Sequence, residues 1–205
     1  MAGPQPIRDI VVGVTGASGS AYARRLMHCL VDGGMHVHLV VSPFGRQVAA
    51  DELALPHFSL EAFLARATDG VTLHPHSNLA APPASGSFLT SGMIVCPASM
   101  RTLGAIASGV SDNLLTRAAA VTLKERRRLI LVPREMPWSA IDLENALKLS
   151  RAGAVICPAA PGFYMRPQRV EDLVDFVVGR LLDLVSVPHG LNTRWADRLA
   201  EGSGA

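Results

Sequence analysis

Leu131-Val132-Pro133-Arg134-Glu135-Met136-Pro137 is the stretch that decides the fold: an apolar run ends on proline and hands the chain at once to a cation and a carboxylate. One strand and one helix later, Ala159-Ala160-Pro161-Gly162-Phe163-Tyr164 follows another apolar run in the same way, and Gly16-Ala17-Ser18-Gly19 follows the first one. An open α/β sheet puts its ligand-binding loops just beyond the carboxyl ends of its strands. Three such loops meeting on one sheet edge point to a phosphate-bearing ligand.

Outward from these loops, short apolar runs alternate with longer stretches of helical period, the pattern of βαβ units. Strands are expected at 10–14, 37–41, 93–96, 129–132 and 154–157, with a short one near 71–74. Helices are expected at 20–32, 46–53, 103–108, 113–126, 141–151 and 170–187. In the last, Val170, Leu173, Val174, Val177, Val178, Leu181, Leu182 and Val185 form one apolar stripe, and Glu171 and Asp172 suit the positive end of the helix dipole. Residues 75–92 hold Pro82-Pro83-Ala84-Ser85-Gly86-Ser87 and are expected to form no regular element. The expected fold is α/β, a Rossmann-like open, mostly parallel sheet with helices on both faces. It forms one domain over 1–205, with 1–6 and 201–205 as flexible ends.

The 205 residues are enough for one full core. Nineteen basic and 17 acidic residues are spread without long blocks of one sign, so nucleic acid is not implied. Hydrophobic residues reach 49%, yet no apolar run approaches the roughly 20 residues of a membrane span. The surplus apolar surface is expected to meet other subunits. The first nine residues carry two prolines and no apolar signal core, which points to the cytoplasm. Cys29, Cys96 and Cys157 are too few and too scattered for a disulfide framework or a paired zinc site, and read as buried thiols.

The loop Gly13 to Gly19 joins a buried strand to a helix, where glycines let backbone approach an anion and the opening N–H groups, with Ser18, can bind phosphate. A tight turn without ligand fits the same residues. A dinucleotide enzyme needs a charged group at the tip of the second strand to meet the adenosine ribose. That strand ends Val40-Val41-Ser42-Pro43, so a mononucleotide such as FMN fits better than NAD.

The chain resembles the UbiX-type flavin prenyltransferases over nearly its whole length. The resemblance runs through Val14 to Gly19, Ala81 to Ser87, Cys96-Pro97-Ala98-Ser99, Asn113-Leu114, Arg117-Ala118, Leu123 to Arg126, Val132 to Glu135, Leu143-Glu144-Asn145 and Pro158 to Tyr164, in order and correctly spaced. It implies a flavoprotein that assembles as a homododecamer with its active site at a subunit junction. Such an enzyme joins a dimethylallyl group from dimethylallyl phosphate to N5 and C6 of reduced FMN without a metal, and supplies prenylated FMN to a UbiD-type decarboxylase.

Carried over position by position, the resemblance implies that Gly16, Ala17 and Ser18 form the FMN phosphate loop and that Ser42 follows the second strand. Ser99, Met100, Arg101 and Thr102 would form the flavin-contacting turn, and Arg134 would contact the flavin. Lys124, Tyr164 and Arg180 would hold the donor phosphate, with Arg117 and Ser87 nearby. Glu52 and Glu135 match carboxylates associated with proton handling, and Trp195 an aromatic beside the prenyl pocket. These residue types suit the chemistry. Allylic C–O cleavage builds negative charge on the departing oxygen, which fixed cations stabilise, and positive charge on carbon, which an aromatic face attracts. Closure through C6 then needs a base, for which Glu135 is the expected residue.

Plainer readings stand beside these. Lys124 to Arg128 alone is a solvated helix end, where cations complement the dipole. His36 and His38 share one face of a strand without a third ligand close in sequence, and ordinary packing accounts for them. Glu52 competes with Asp51 for its assignment, and Trp195 could serve only to seal a subunit contact. Met100-Arg101 and Asp142 depart from the family pattern; the first pair bears on the pocket entrance, and Asp142 on a helix start. Pro97 to Thr102 also faintly resembles the Pro-Ala-Ser-Ala-Asn-Thr motif of flavin-containing cysteine decarboxylases, but Arg101 replaces its asparagine. A flavin carrier without catalysis is the remaining rival.

Overall fold

The computed structural model describes residues 7–191 and 193. The expected flexible ends and Trp195 lie outside the described residues.

Six parallel strands form one sheet: β1 (Asp9–Val14), β2 (His36–Val41), β3 (Val71–His74), β4 (Gly92–Ala98), β5 (Arg128–Pro133) and β6 (Val155–Ile156). Their order is β3-β2-β1-β4-β5-β6, so the chain reverses its direction of travel across the sheet between β1 and β4. That is the doubly wound Rossmann-like architecture expected from the alternation of runs. Ile10, Val12, Val14, Ile94, Cys96, Ile130 and Val132 bury themselves on one face, and Val11, Val40, Met93, Val95, Leu129 and Leu131 on the other. A parallel strand covered on both faces needs such a continuous apolar run.

The connecting helices are α1 (Ser20–Asp32), α2 (Pro43–Glu52), α3 (Leu60–Leu64), α4 (Met100–Ala107), α5 (Leu114–Lys124), α6 (Ala140–Arg151) and α7 (Val170–Leu184). α1 and α7 cover the first face, where Arg25 holds Asp175 at 2.6 and 3.1 Å, and α4, α5 and α6 cover the second. Three expected helix starts, those of α2, α4 and α6, move outward because a side chain caps the helix before its apolar stripe begins, while α5 starts one residue later than expected, after its cap Asn113. Ser42 accepts from Gly45 N, Ser99 from Thr102 N, Asn113 from Thr116 N and Ser139 from Asp142 N. Asp142 answers Ser139 reciprocally in a capping box, so its departure from the family pattern acts on a helix start, as expected.

Two elements were not expected. α3 is only five residues long, too short for a period to register, and is held by Ser59 accepting from Ala62 N. Within 75–92, Pro82–Ala84 forms a single 3-10 turn. The three cysteines are unpaired; Cys96 is buried, Cys29 and Cys157 half-buried, and burial pushes all three thiols up. Among the described residues, no helix is long and apolar enough to cross a membrane.

The start of α2 lies hard against the end of β1. A Cβ built on Gly45 would stand 2.8 Å from the Val14 carbonyl oxygen and 3.1 Å from Ser42 Oγ. Gly45→Ala is therefore expected to cost about 1–3 kcal/mol, seen as a fall in Tm of several degrees by circular dichroism. Gly190→Ala, where an added Cβ meets nothing within 4 Å, is expected to leave Tm unchanged.

Candidate active site

The site is built where the sheet reverses. Thr15, just past β1 and 2% exposed, donates its hydroxyl to the Pro97 carbonyl (2.8 Å) and accepts from Ser99 N (2.8 Å). Thr15 N also donates to the Pro97 carbonyl at 3.2 Å. One side chain thereby fixes the spacing between the loop after β1 and the start of α4. Between them opens a cavity of about 510 Å³, within the usual range for small-ligand sites. Gly16, Ser42, Ser99, Arg101 and Thr102 line it, as do His76 and Asn113.

α2 and α4 begin at this cavity, as does α5 after Asn113, and a helix start offers free N–H groups and the positive end of a dipole. Ser42 and Ser99 accept from their own helices through Oγ, and a hydroxyl that accepts keeps a proton to donate. Arg101 adds an exposed cation. The set suits an anionic group with hydroxyl-bearing substituents. Met100 does something else: it packs against the core cluster of the α4 face, while Arg101 faces the cavity.

The start of α1 is already occupied. Gly19, its N-cap with φ of 122°, offers no side chain to cap the helix. Glu52, at the end of α2, supplies the missing acceptor: its carboxylate takes Gly19 N at 3.0 and 3.1 Å and Ser20 N at 2.7 Å. Partial burial opposes the charge, but bonds from the hydroxyls of Ser18 and Ser20 and from these amides outweigh it and hold the carboxyl below its ordinary range. Asp51, the competing carboxylate, makes none of these bonds. Arg134, just past β5, reaches across to the same loop and donates from Nε to the Ser18 carbonyl (3.2 Å). Glu135 beside it is exposed, its Oε1 accepting only from its neighbour Met136 N at 3.3 Å. Ala17 is buried. Gly16, Ser18, Glu52 and Arg134 thus meet around one loop, which the cavity borders at Gly16.

The residues expected around the donor phosphate do not come together within one chain. Lys124, Arg117 and Ser87 gather about the loop of residues 84–88: Arg117 Nε donates to the Ala84 carbonyl (3.1 Å), and Arg127 holds the Gly86 and Phe88 carbonyls. A Cβ on Gly86 would stand 3.1 Å from Lys124 Nζ, so this loop lies directly against the lysine, which pairs with Glu125 at 2.8 Å. Tyr164 and Arg180 belong to the opposite face. Tyr164 meets Phe176 edge-on at 5.4 Å between ring centroids, and Arg180 stands one turn further along α7, paired with Asp183 at 3.2 Å and close enough to Cys157 to favour its thiolate.

His76, Phe44, Asp112 and Thr116 line the cavity without having been singled out from sequence. His76 lies outside the three loops that the apolar runs announce, and is carried in by Leu114 N donating to its carbonyl. Burial pushes its pKa down, so it is neutral at pH 7. Asn113, by contrast, stands in one of the segments that carry the family resemblance.

Comparison with known proteins agrees with this geometry. Residues 3–182 match the family model described as Flavoprotein. The chain is 48% identical over 206 residues to the flavin prenyltransferase UbiX of Pseudomonas aeruginosa, covering 97% of each. It is 47% identical over 186 residues to that of Thermoplasma acidophilum, covering 91% of this chain and 99% of the relative. Among solved structures, AnUbiX (PadA1) in complex with FMN and dimethylallyl pyrophosphate superposes with a TM-score of 0.84 at 43% identity, over 93% of this chain and 98% of that one. A dodecameric FMN-dependent UbiX-like decarboxylase from Escherichia coli O157:H7 gives 0.83 at 44% identity, over 91% and 98%. The peptidyl-cysteine decarboxylase EpiD, at 16% identity and a TM-score of 0.57, shares the fold alone. On its own geometry and on these likenesses, the chain belongs to the UbiX-type flavin prenyltransferases.

Proposed function

We propose that the chain, acting as one flavoprotein domain over 1–205, joins the dimethylallyl group of dimethylallyl phosphate to N5 and C6 of reduced FMN, and that a UbiD-type decarboxylase uses the prenylated FMN. The observation that carries the reading is the cavity at the sheet reversal, where two helix starts, two serines and Arg101 offer an anion site. The flavin phosphate sits at the starts of α2 and α4, on Ser42, Ser99, Arg101 and Thr102. This shifts the phosphate from the loop proposed on sequence. With Glu52 holding the Gly19 and Ser20 amides, a second anion there would face a carboxylate. Gly16, Ala17 and Ser18 instead bring backbone close to the flavin, and Arg134, tied to Ser18, fixes the ring's other side.

The flavin provides the two nucleophilic positions, and the protein provides charge and proton acceptance. Lys124, Arg117 and Arg180, with Tyr164 and Ser87, hold the departing phosphate, where fixed donors stabilise developing charge without reorganising. Trp195 would flank the allyl carbon, a contact worth about 0.5–2 kcal/mol. Glu135 takes the proton lost from C6, directly or through one water. Glu52, already ionised, serves as a fixed negative charge and proton acceptor rather than as an acid.

Because Lys124 and Arg117 stand on the α5 face and Tyr164 and Arg180 on the α7 face, one donor phosphate meets all of them only if different copies supply them. We therefore read the enzyme as a homo-oligomer, a dodecamer like the Escherichia coli relative. Exposed Met136 (87%), Ile141 (70%) and Leu143 (56%) offer apolar area for such contacts. The enzyme is proposed to act in the cytoplasm.

Anaerobic incubation with reduced FMN and dimethylallyl phosphate, followed by mass spectrometry of the extracted flavin, is expected to show a gain of one five-carbon unit. Unmodified FMN with intact donor would favour a flavin carrier, and oxidation of a cysteinyl substrate the decarboxylase. Lys124→Ala is expected to raise the apparent KM for donor about 10- to 100-fold, the loss of one charge-assisted phosphate contact, with FMN affinity unchanged by flavin fluorescence. Weakened FMN binding at unchanged donor KM would overturn that assignment. Glu52 has a folded pKa below its ordinary 4.5, so its stabilisation is complete above that value and is lost as pH falls through the folded one. The Tm gap between wild type and Glu52→Gln is therefore expected to be largest near neutrality and to shrink as the pH falls below 4.5. A gap that stays constant contradicts Glu52 as an ionised cap.

A further inference from the structure

Outside the cavity lining, β1, β2 and β3 carry a second polar cluster on one face of the sheet. Asp9 stands opposite His36 in the β1–β2 ladder, and Val11 opposite His38, which is itself opposite Thr72 of β3. Period-two alternation puts Asp9, His36, His38, Thr72 and His74 on the same side. His38, 7% exposed, lies with Nε2 2.9 Å from Asp9 Oδ1 and Nδ1 3.0 Å from His74 Nε2. His36 meets His38 edge-on, with ring centroids 5.0 Å apart, and its Nε2 is 2.9 Å from Thr72 Oγ1. One ligating atom each from Asp9, His36 and His38 falls within 4.8 Å of the others. None of these residues lines the cavity or enters the proposed reaction.

We propose that Asp9, His36 and His38 bind a divalent transition-metal ion, zinc by preference, that clamps the start of β1 to the start of β2. Two imidazoles and one carboxylate suit zinc, cobalt or nickel; magnesium and calcium prefer all-oxygen shells. Ligand bonds of about 2.0–2.2 Å place neighbouring donor atoms roughly 3 Å apart. Asp9 and His38 already have that spacing, and His36 holds a ligand atom within 4.8 Å of both. His74 supplies the outer support. With the ion on His38 Nε2, the ring proton sits on Nδ1 and is donated to His74 Nε2, which fixes the tautomer. The Asp9 side chain is 39% exposed, which leaves an entry path and room for water to complete the shell.

The test uses tag-free, metal-stripped, full-length protein titrated with cobalt(II), read by visible d–d absorption, with zinc competition and Tm measured in parallel. One ion per chain is expected, displaced by zinc, with Tm raised by zinc. His36→Ala is expected to abolish the band and the zinc-dependent rise in Tm, while flavin prenylation stays at the wild-type level. His74→Gln is expected to weaken binding about 10- to 100-fold. Absence of a saturable band, an undiminished band in His36→Ala, or a wild-type Tm indifferent to zinc would each overturn the proposal. A folded His36→Ala protein that no longer prenylates flavin would overturn the separation of this site from the reaction.

Discussion

The structure around the cavity depends on a single buried hydroxyl. Thr15 Oγ1 donates to one backbone atom of the β4 loop and accepts from another, two residues apart. Each bond contributes only about 0.5–1.5 kcal/mol net, but together they set where β1 ends relative to α4. Parallel strands joined through long crossovers have no hairpin to fix their ends. At the reversal point, helices depart to opposite faces and the tips of β1 and β4 have no connecting segment between them. A threonine that bonds in both directions closes that gap, and Ser99, Arg101 and Thr102 are aimed from the result.

The second constraint is competition between anions for helix starts. α1, α2 and α4 begin at this sheet edge after glycine or serine, and each start offers unpaired amides. α2 and α4 satisfy part of theirs with their own serines. α1 begins on a glycine and takes a carboxylate from the end of α2 instead. A glycine there lets the backbone turn with positive φ, where an added Cβ would stand 2.9 Å from the Tyr22 ring. The same choice removes the local cap, so Glu52 is required. At the end of the motif that reads as a phosphate loop, a protein carboxylate thus accepts from the first amides of α1.

How much of this was legible follows from what each signal measures. Apolar runs record burial, so among the described residues all six strands and six of the seven helices were readable, with α1 expected over its observed span. Caps record local hydrogen bonding, which is why α2 and α4 begin three residues earlier than their apolar stripes suggested. α3 was missed because five residues hold less than two turns of period. Pairings set by register were invisible. His36 and His38 were seen on one face, but Asp9 becomes their neighbour only because β1 and β2 lie parallel with Asp9 opposite His36. His76 is brought to the cavity by a single backbone bond from Leu114. The resemblance names a set of donor-site residues, but a set has no geometry, and nothing in one chain's sequence separates residues of one copy from those of the next.

That separation shapes the proposed enzyme. α5 begins at Leu114, just after Asn113 on the wall of the cavity, and ends at Lys124, beside the loop of Ser85 and Ser87. Its 11 residues rise about 16 Å, too far for both ends to serve one reacting centre in the same copy. In the proposed assembly the helix start of one copy therefore serves its own flavin while the helix end serves the donor phosphate of another. The same rigid element then sets both distances, and the cation site exists only when copies associate. An isolated chain could still hold a flavin at α2 and α4, yet its Lys124 would face solvent and Glu125, too well hydrated and too well paired to stabilise a leaving phosphate. Exclusion of water at the junction is what gives those cations their strength, because charge interactions weaken steeply as the local dielectric rises. Oligomerisation is on this reading a part of the chemistry: it brings together charges that repel within one surface and are useful only around a shared anion.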